Sequence, residues 1–334
     1  MQDTHVSLAH GNGGRYMREL IREIFLRHLG NTELDADADA VPVALGAGQV
    51  MLTTDAFTVQ PLEFPGGNIG SLAVHGIVND LAVSGAIPVY LTLSAIIEEG
   101  LPVAQLDRIV AALGAAARQA SVRVVAGDTK VVRRGEAAGL YLSGCGVGLR
   151  APEHRLGFDA IHGGDRILVS GPVGDHGIAV LLAREEFGLT GQVESDCASV
   201  VPLAQALLSV PGLRFMRDPT RGGLATVMHE ISQVSGLGLS LEQAAIPVRP
   251  AVQSVCEMLG YDPLYLACEG RVVAVVEAAA ASRALAALRA LPQGEEAALI
   301  GATTPAHQRV VLTTPLGGER YLEELEDDPL PRIC

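Results

Sequence analysis

Apolar residues recur along this chain with helical and strand periods that divide it into elements. Met17, Leu20, Ile21, Ile24, Phe25 and Leu29 fall at helical spacing, and Gly30-Asn31 supplies the stop. Residues 35–40 alternate aspartate with alanine and resemble the opening of a calcium loop. Position six of that loop is Ala40 instead of Gly and position twelve is Gly46 instead of Glu, so the segment reads as a solvated acidic linker. From Val50 onward strands and helices alternate. The pattern predicts a strand over 50–54 ending at Asp55, a helix over 69–84 and a strand over 89–94. A helix over 102–120 follows, with Pro at its start and Val103, Leu106, Ile109, Val110 and Leu113 on one face. Strands are predicted over 122–126, ending at Gly127-Asp128, and over 140–149; residues 150–164 read as a linker. A second unit repeats the style, with a strand over 166–170 and helices over 177–186, 199–208 and 222–234. Strands over 272–276, 299–303 and 309–312 follow, with a helix over 279–291 between the first two.

The fold class is therefore α+β, a mixed α/β chain in two halves that meet at a cleft. Residues 1–41 form a glycine-rich arm and helix, 42–150 a first domain and 151–318 a second. Residues 319–334, acidic and carrying Pro329 and Pro331, read as a mobile tail.

Composition narrows the function. The chain has 334 residues, 49% of them apolar, enough to bury a sizeable core. Net charge is −14 and no basic stretch exceeds Arg133-Arg134, which argues against nucleic acid as a partner; a nucleotide would have to arrive with a metal ion. The longest uncharged runs, 81–97 and 197–213, are interrupted by proline, so no membrane span is expected. The N-terminus lacks a basic region followed by an apolar one, and the five cysteines are odd in number without a CxxC. Both point to a cytoplasmic, reducing setting without a disulfide framework.

Three aspartates share a local context: Asp55 in LTTDAF, Asp80 in IVNDLAVSGA and Asp128 in VVAGDTK. Carboxylates at strand ends beside a cleft suit Mg²⁺, which takes one or two of them plus substrate phosphates; each alone also suits a cap or turn. Asp218, in RDPTRGGLA, is either a further ligand or the cap of the helix starting near Gly222. Glycine-rich loops at 10–14 and 170–177 let backbone N–H groups approach phosphate oxygens, which makes Gly13, Gly174, Asp175 and His176 candidates for nucleotide contact. Ordinary turns are the other reading of these loops. There is no GxxxxGK[ST], no GxGxxG between a strand and a helix, and no HxH, HxxxH or HExxH. A P-loop, a dinucleotide fold and a zinc site are unsupported.

Of the 24 basic residues Lys130 is the one lysine. It is either a chance survivor at a solvated site or a position where a compact amine of tunable pKa is needed. Cys145, Cys197, Cys256 and Cys268 lie in apolar or helical contexts and read as core thiols. Cys334, the last residue, is a poor place for a core thiol. A thiol on an arm can serve as a carrier group, and an incidental terminal cysteine is the alternative.

LTTDAFTVQP, HGIVNDLAVSGAIPVYLT, GDTKVVRRG, GDRILVSGPVGDHGIAVL, RDPTRGGLA and the terminal LPRIC occur in this order, over about residues 5 to 334. In these the chain resembles the HypE family of hydrogenase expression/formation proteins, within the PurM-like (AIR synthase) superfamily. The PRIC ending is the most specific element. The resemblance implies a two-domain PurM-like fold and a homodimer through the N-terminal domains. It implies a carbamoyl group received from the carbamoyltransferase HypF on Cys334, and ATP-dependent dehydration of that thiocarbamate to a thiocyanate. The cyanide would pass to iron on the HypC–HypD complex for the nickel–iron centre. Asp55, Asp80 and Asp128 would hold Mg²⁺ on the ATP phosphates. Glu269, at the EG position of LACEGRVV, would be the base, its pKa raised by the apolar Leu266-Ala267-Cys268 beside it. Lys130 would neutralise developing charge or relay the proton. The alternatives are a selenophosphate or aminoimidazole-ribotide synthetase of the same superfamily, or a nucleotide-binding scaffold without catalysis. HGNGG carries no cysteine, which argues against the selenophosphate reading.

Overall fold

The computed structural model describes residues 3–12, 14–36, 38, 40–184 and 191–325. An N-terminal helical segment runs through α1 (Arg15–Leu20), a π-helical stretch (Ile21–Leu26) and α2 (Arg27–Leu29), and buries Leu20, Ile24, Phe25 and Leu29 as its spacing predicts. The first half continues with β1 (Gln49–Phe57), the two-residue strands β2 (Glu63–Phe64) and β3 (Gly67–Asn68), α3 (Ile69–Val83), β4 (Ala86–Glu98), α4 (Val103–Gln119), β5 (Arg123–Val132) and β6 (Leu140–Arg150). Strands β1, β6, β4 and β5 lie in that order in one sheet. Its pairs are antiparallel except β4 with β5, which α4 joins as a parallel crossover.

Helix α3 shapes the site. Asn68 caps it, its Oδ1 accepting from Gly70 N–H (2.8 Å) and Ser71 N–H (3.1 Å), while Ser71 Oγ accepts from Asn68 N–H (3.1 Å). Of its residues only Ser71 and Asp80 are not buried, because it lies between the sheet, α4 and the second half of the chain. A helix apolar all round is what such a position requires. A Cβ at Gly76 would stand 2.6 Å from the Phe57 ring, so glycine lets β1 lie directly against this helix.

The second half contains β7 (Arg166–Val169), α5 (Asp175–Ala183), α6 (Val201–Leu208), β8 (Leu213–Arg217), α7 (Gly223–Ser235), β9 (Gly238–Glu242) and α8 (Pro250–Leu259). It ends with β10 (Val273–Val276), α9 (Ala281–Arg289), β11 (Ala298–Thr304), β12 (Val310–Thr313) and β13 (Glu319–Tyr321). Its seven strands are ordered β13-β12-β9-β11-β7-β10-β8. The halves share their cores: Ile178 and Val180 of α5 and Val252 of α8 join the first-half cluster, while Ala82 and Val83 of α3 pack with Leu203 and Leu207 of α6. No described helix is long and apolar enough to cross a membrane.

The structure corrects several boundaries. Strand β1 continues past Asp55, since its register with β6 runs on to the Phe57–Leu142 pair. Strand β5 likewise continues through Asp128 and Lys130 to Val132, paired with β4. The sequence reading missed β8, β9 and α8. Residues 319–325, read as part of the tail, are tied to the second half: β13 pairs antiparallel with β12, and Leu322 is buried. Cys145, read as a core thiol, is exposed, because β6 places it on the open face of the sheet.

Candidate active site

A cleft of about 500 Å³ opens where β1 and α3 of the first half face the segment between β8 and α7 in the second. Asp55 comes from β1, Asp80 from α3, and Arg217, Asp218 and Arg221 from the 217–222 segment; Glu230, Glu269 and Leu325 are also among the lining residues. Gly222 and Gly223 hold φ values of 72° and 61°, which turn the chain sharply from Asp218 into α7. Gly222, not Asp218, occupies the N-cap of α7, so the capping alternative for Asp218 falls.

The carboxylates crowd one another. Burial pushes Asp218 up to about 7, reinforced by the charges of Asp80 and Asp55, and its Oδ2 is buried without a hydrogen-bond partner. Asp55 is raised by burial and by Asp80, against the pull of the Ala56 N–H that donates to its Oδ1 at 2.7 Å. Asp80 is raised by burial, opposed by Thr53 Oγ donating to its Oδ2 at 2.7 Å and by the Arg217 charge. A divalent cation would relieve this repulsion. Among the described residues no three His, Cys, Asp or Glu side chains gather closely enough to hold a metal unaided. Asp55, Asp80 and Asp218 offer carboxylate oxygens of the type Mg²⁺ takes together with phosphate oxygens.

Glu269 is 4% exposed and fixed by its main chain. Its N–H donates to Asp196 Oδ1 (3.1 Å), and its carbonyl accepts from Nδ2 of Asn79, on α3 (3.1 Å). Arg271, two residues on, reaches Asp196 and Asp175 at 3.4 Å each.

The other sequence candidates lie elsewhere. Asp128 and Lys130 are both exposed and sit on β5 opposite Ser94 and Ile96 of β4. Strand alternation puts these on the open face of the sheet, whereas Asp55 and Thr53 face α3. Asp128 thus does not join Asp55 and Asp80 within one chain; it borders a separate cavity of about 250 Å³ beside the N-terminal helix. The N-terminal loop lies against the same strand, with Gly11 packed on Val131. Gly174, Asp175 and His176 do not line the cleft either. Gly174 caps α5 with a φ of 86°, and its N–H donates to Cys268 Sγ at 3.3 Å. Asp175 is a buried partner of Arg249 (2.8 Å) and Arg271. His176 is buried, held neutral with its pKa pushed down to about 3 by desolvation, its Nδ1 2.8 Å from Ser195 Oγ and its ring edge-on to Phe64. The glycine-rich loop here starts a helix over a buried ion pair. Gly13 and Cys334 lie outside the described residues.

Four residues of the site escaped the sequence reading. Arg217 and Arg221 bracket Asp218 within RDPTRGG, a signal that was available. Asn79 and Asp196 carried none beyond residue type.

Both halves match profiles of AIR synthase related proteins, the N-terminal domain over residues 37–150 and the C-terminal domain over 163–313. Fold and cleft together define an enzyme-type scaffold of that two-domain class. A carbamoyl dehydratase HypE of Azotobacter vinelandii is 47% identical over 336 residues, covering 100% of this chain and 98% of the relative. A crystal structure of hydrogenase maturation protein HypE in complex with ATP is 43% identical, with a TM-score of 0.93 over 98% of this chain and 99% of that one. A chain from the crystal structure of a HypE–HypF complex is 40% identical, with a TM-score of 0.81 over 93% of this chain and 100% of that one. The chain belongs to the HypE family of carbamoyl dehydratases.

Proposed function

We propose that this chain uses ATP to dehydrate a carbamoyl group carried on its own Cys334, leaving a thiocyanate that supplies cyanide to the nickel–iron hydrogenase centre. The observation that carries the reading is the position of Leu325. It lines the cleft that holds Asp80 and Glu269, and Cys334 lies nine positions further along the chain. Nine residues span at most about 30 Å, so the thiol is tethered within reach of Glu269. The chain is anchored just before that point. Tyr265 Oη donates to the Glu323 carbonyl (2.7 Å), and His229 Nε2 donates to the Leu322 carbonyl (3.0 Å).

The chemistry balances with the groups at hand. The carbamoyl oxygen attacks the γ-phosphorus and ADP leaves, which converts that oxygen into a phosphate leaving group. Glu269 takes a proton from the carbamoyl nitrogen as the C–O bond breaks and phosphate departs. The second nitrogen proton passes to the departing phosphate, which leaves C≡N on sulfur. The oxygen of the removed water ends in inorganic phosphate. Asp55, Asp80 and Asp218 would hold Mg²⁺, which when bound neutralises the phosphate charge. Arg217 and Arg221 face the same space and suit phosphate oxygens.

Lys130 and Asp128 enter from a second copy. The open face of the four-stranded sheet carries Val50, Leu52 and Ile87, 46%, 72% and 57% exposed, with Val50 and Ile87 flanking Leu149 of β6, an apolar surface that suits homodimerisation. The site is then shared, with Glu269 from one protomer and Lys130 from the other. A HypF-type carbamoyltransferase loads the thiol and a HypC–HypD complex receives the cyanide. All of this takes place in the cytoplasm, a setting that suits the free thiols of Cys145, Cys197, Cys256 and Cys268.

The test is the mass of the C-terminal peptide after incubation with the carbamoyltransferase, carbamoyl phosphate and Mg-ATP, beside a Cys334→Ala control. A carbamoyl adduct that loses the mass of one water only when ATP is hydrolysed is expected. An unmodified tail in the presence of a competent transferase would overturn the reading.

A further inference from the structure

Asn79 precedes Asp80 on α3 and is 1% exposed. Its amide is used at both ends. Nδ2 donates to the carbonyls of Ala198 (3.0 Å) and Glu269 (3.1 Å), and Oδ1 accepts from Val200 N–H (2.8 Å). From the other side Asp196 accepts from Glu269 N–H (3.1 Å) and Gly270 N–H (3.3 Å), and its fully buried carboxylate is held by Arg271 at 3.4 Å. Both main-chain groups of Glu269 are therefore gripped by buried side chains, one from each half of the molecule.

We infer that Asn79 and Asp196 are positioning residues that set where the Glu269 carboxylate stands relative to Asp80. The inference rests on Glu269 being the base. Glu269 belongs to the second half, whereas Asp55 and Asp80 belong to the first, so domain packing alone would leave their separation free to vary. Asn79 removes that freedom. Consecutive residues on a helix point about 100° apart. One turn of α3 thus offers Asp80 to the cleft and the Asn79 amide to the Glu269 peptide, and a covalent helix fixes the spacing. Three hydrogen bonds to main chain at sequence separations of 119 to 190 residues are a large commitment for one side chain. They all converge on the two segments that frame the base. Neither residue touches the reacting atoms, and a misplacement of about 1 Å in a catalytic group costs about 100-fold in rate.

The experiment measures single-turnover dehydration of the carbamoylated protein at saturating ATP, with ATP affinity measured in parallel. Asn79→Ala is expected to lower the rate about 100-fold while changing the Kd for ATP less than about twofold. Asp196→Asn keeps the shape and one acceptor oxygen, guards against a folding defect in the first variant, and is expected to lose about tenfold. The decisive readout is the double variant. If Asn79 acts through Glu269, Asn79→Ala with Glu269→Gln falls no further than Glu269→Gln alone, whereas a general structural defect multiplies the two losses. Wild-type rates in both Asn79→Ala and Asp196→Asn, or multiplied losses, overturn the positioning role while the base stands. A fully active Glu269→Gln overturns the base itself and this inference with it.

Discussion

Lys130 and Glu269 stand on opposite sides of the four-stranded sheet. Lys130 shares the open face with Ser94 and Ile96, while Glu269 is held by Asn79 of the helix that covers the other face. One chain therefore does not present both groups to a single phosphorylated thiocarbamate, although the proposed chemistry uses Glu269 and Lys130 together.

A shared site makes a specific prediction for mixed dimers. Lys130→Ala and Glu269→Gln homodimers are each expected to be inactive. Coexpressed and mixed at random, half of the dimers are heterodimers in which one of the two sites retains both wild-type residues. Activity should return to about a quarter of wild type per chain, as two-fold symmetry requires. Isolating the heterodimers with two different tags should raise the figure to about half, and single-turnover assay of the mixture and of the isolated species checks both values. Persistent inactivity of the mixed species would assign Lys130 no part in a partner's cleft.

The crowding of Asp218 against Asp80 and Asp55 carries a pH signature. The fold raises Asp218 from the ordinary carboxylate value of 3.8 to about 7, so it favours the protonated form. The cost of ionising it is absent below pH 4, grows as pH rises, and stands in full, at about 4 kcal/mol, above pH 7. Asp55 and Asp80 are raised also and add in the same direction. The melting temperature of the protein without nucleotide should fall between pH 5 and pH 8, and Asp218→Asn should flatten that fall and raise the value at pH 8. Mg-ATP should do the same for the wild type by supplying the cation. Calorimetry across this range is the check. An unchanged slope in Asp218→Asn would mean that the carboxylate ionises without penalty.

The sequence exposed the parts of this molecule that depend on residue type and local period. Helix α3 was legible from 69 to 84 because its burial demands an unbroken apolar run, and the Asp80 and Glu269 motifs were visible as they stand. The face on which Asp128 and Lys130 project was not legible. It follows from the pairing of β5 with β4 and from a register shift between Leu91 and Thr92, which no local pattern records. Strands β8 and β9 are five residues each and take their form from their neighbours in the sheet. Asn79 and Asp196 act through main-chain groups far away in sequence, so nothing near them in the chain announces their role. GDHG is ambiguous for the opposite reason: a glycine-rich turn that begins a helix looks the same whether an anion or a buried ion pair lies beneath it.

That last distinction is testable. If Asp175 is a structural ion partner of Arg249 and Arg271, Asp175→Ala removes the carboxylate they share, leaving Arg271 with Asp196 and Arg249 with Glu296, and should cost about 2 kcal/mol of stability. The Kd for ATP should stay within about twofold of wild type in protein that remains folded at low temperature. Denaturant unfolding and nucleotide titration together decide it. A large loss of ATP affinity with stability intact would restore the loop to the nucleotide site.

The tether from Leu325 to Cys334 predicts how the reaction responds to tail length. If the nine residues serve only to keep the thiol near Glu269, lengthening them dilutes the thiol but does not exclude it from the cleft. Doubling the tether with a glycine–serine insert after position 326 costs about 0.6 kcal/mol of closure entropy, so single-turnover dehydration should slow about threefold. Deleting six residues leaves a reach of about 10 Å from Leu325 and should abolish the reaction while ATP still binds. Asymmetry between the two changes is the mark of a tether. Equal and complete loss in the lengthened protein would mean instead that the tail sits in the cleft in one fixed register, with its residues read individually and Cys334 placed by contact.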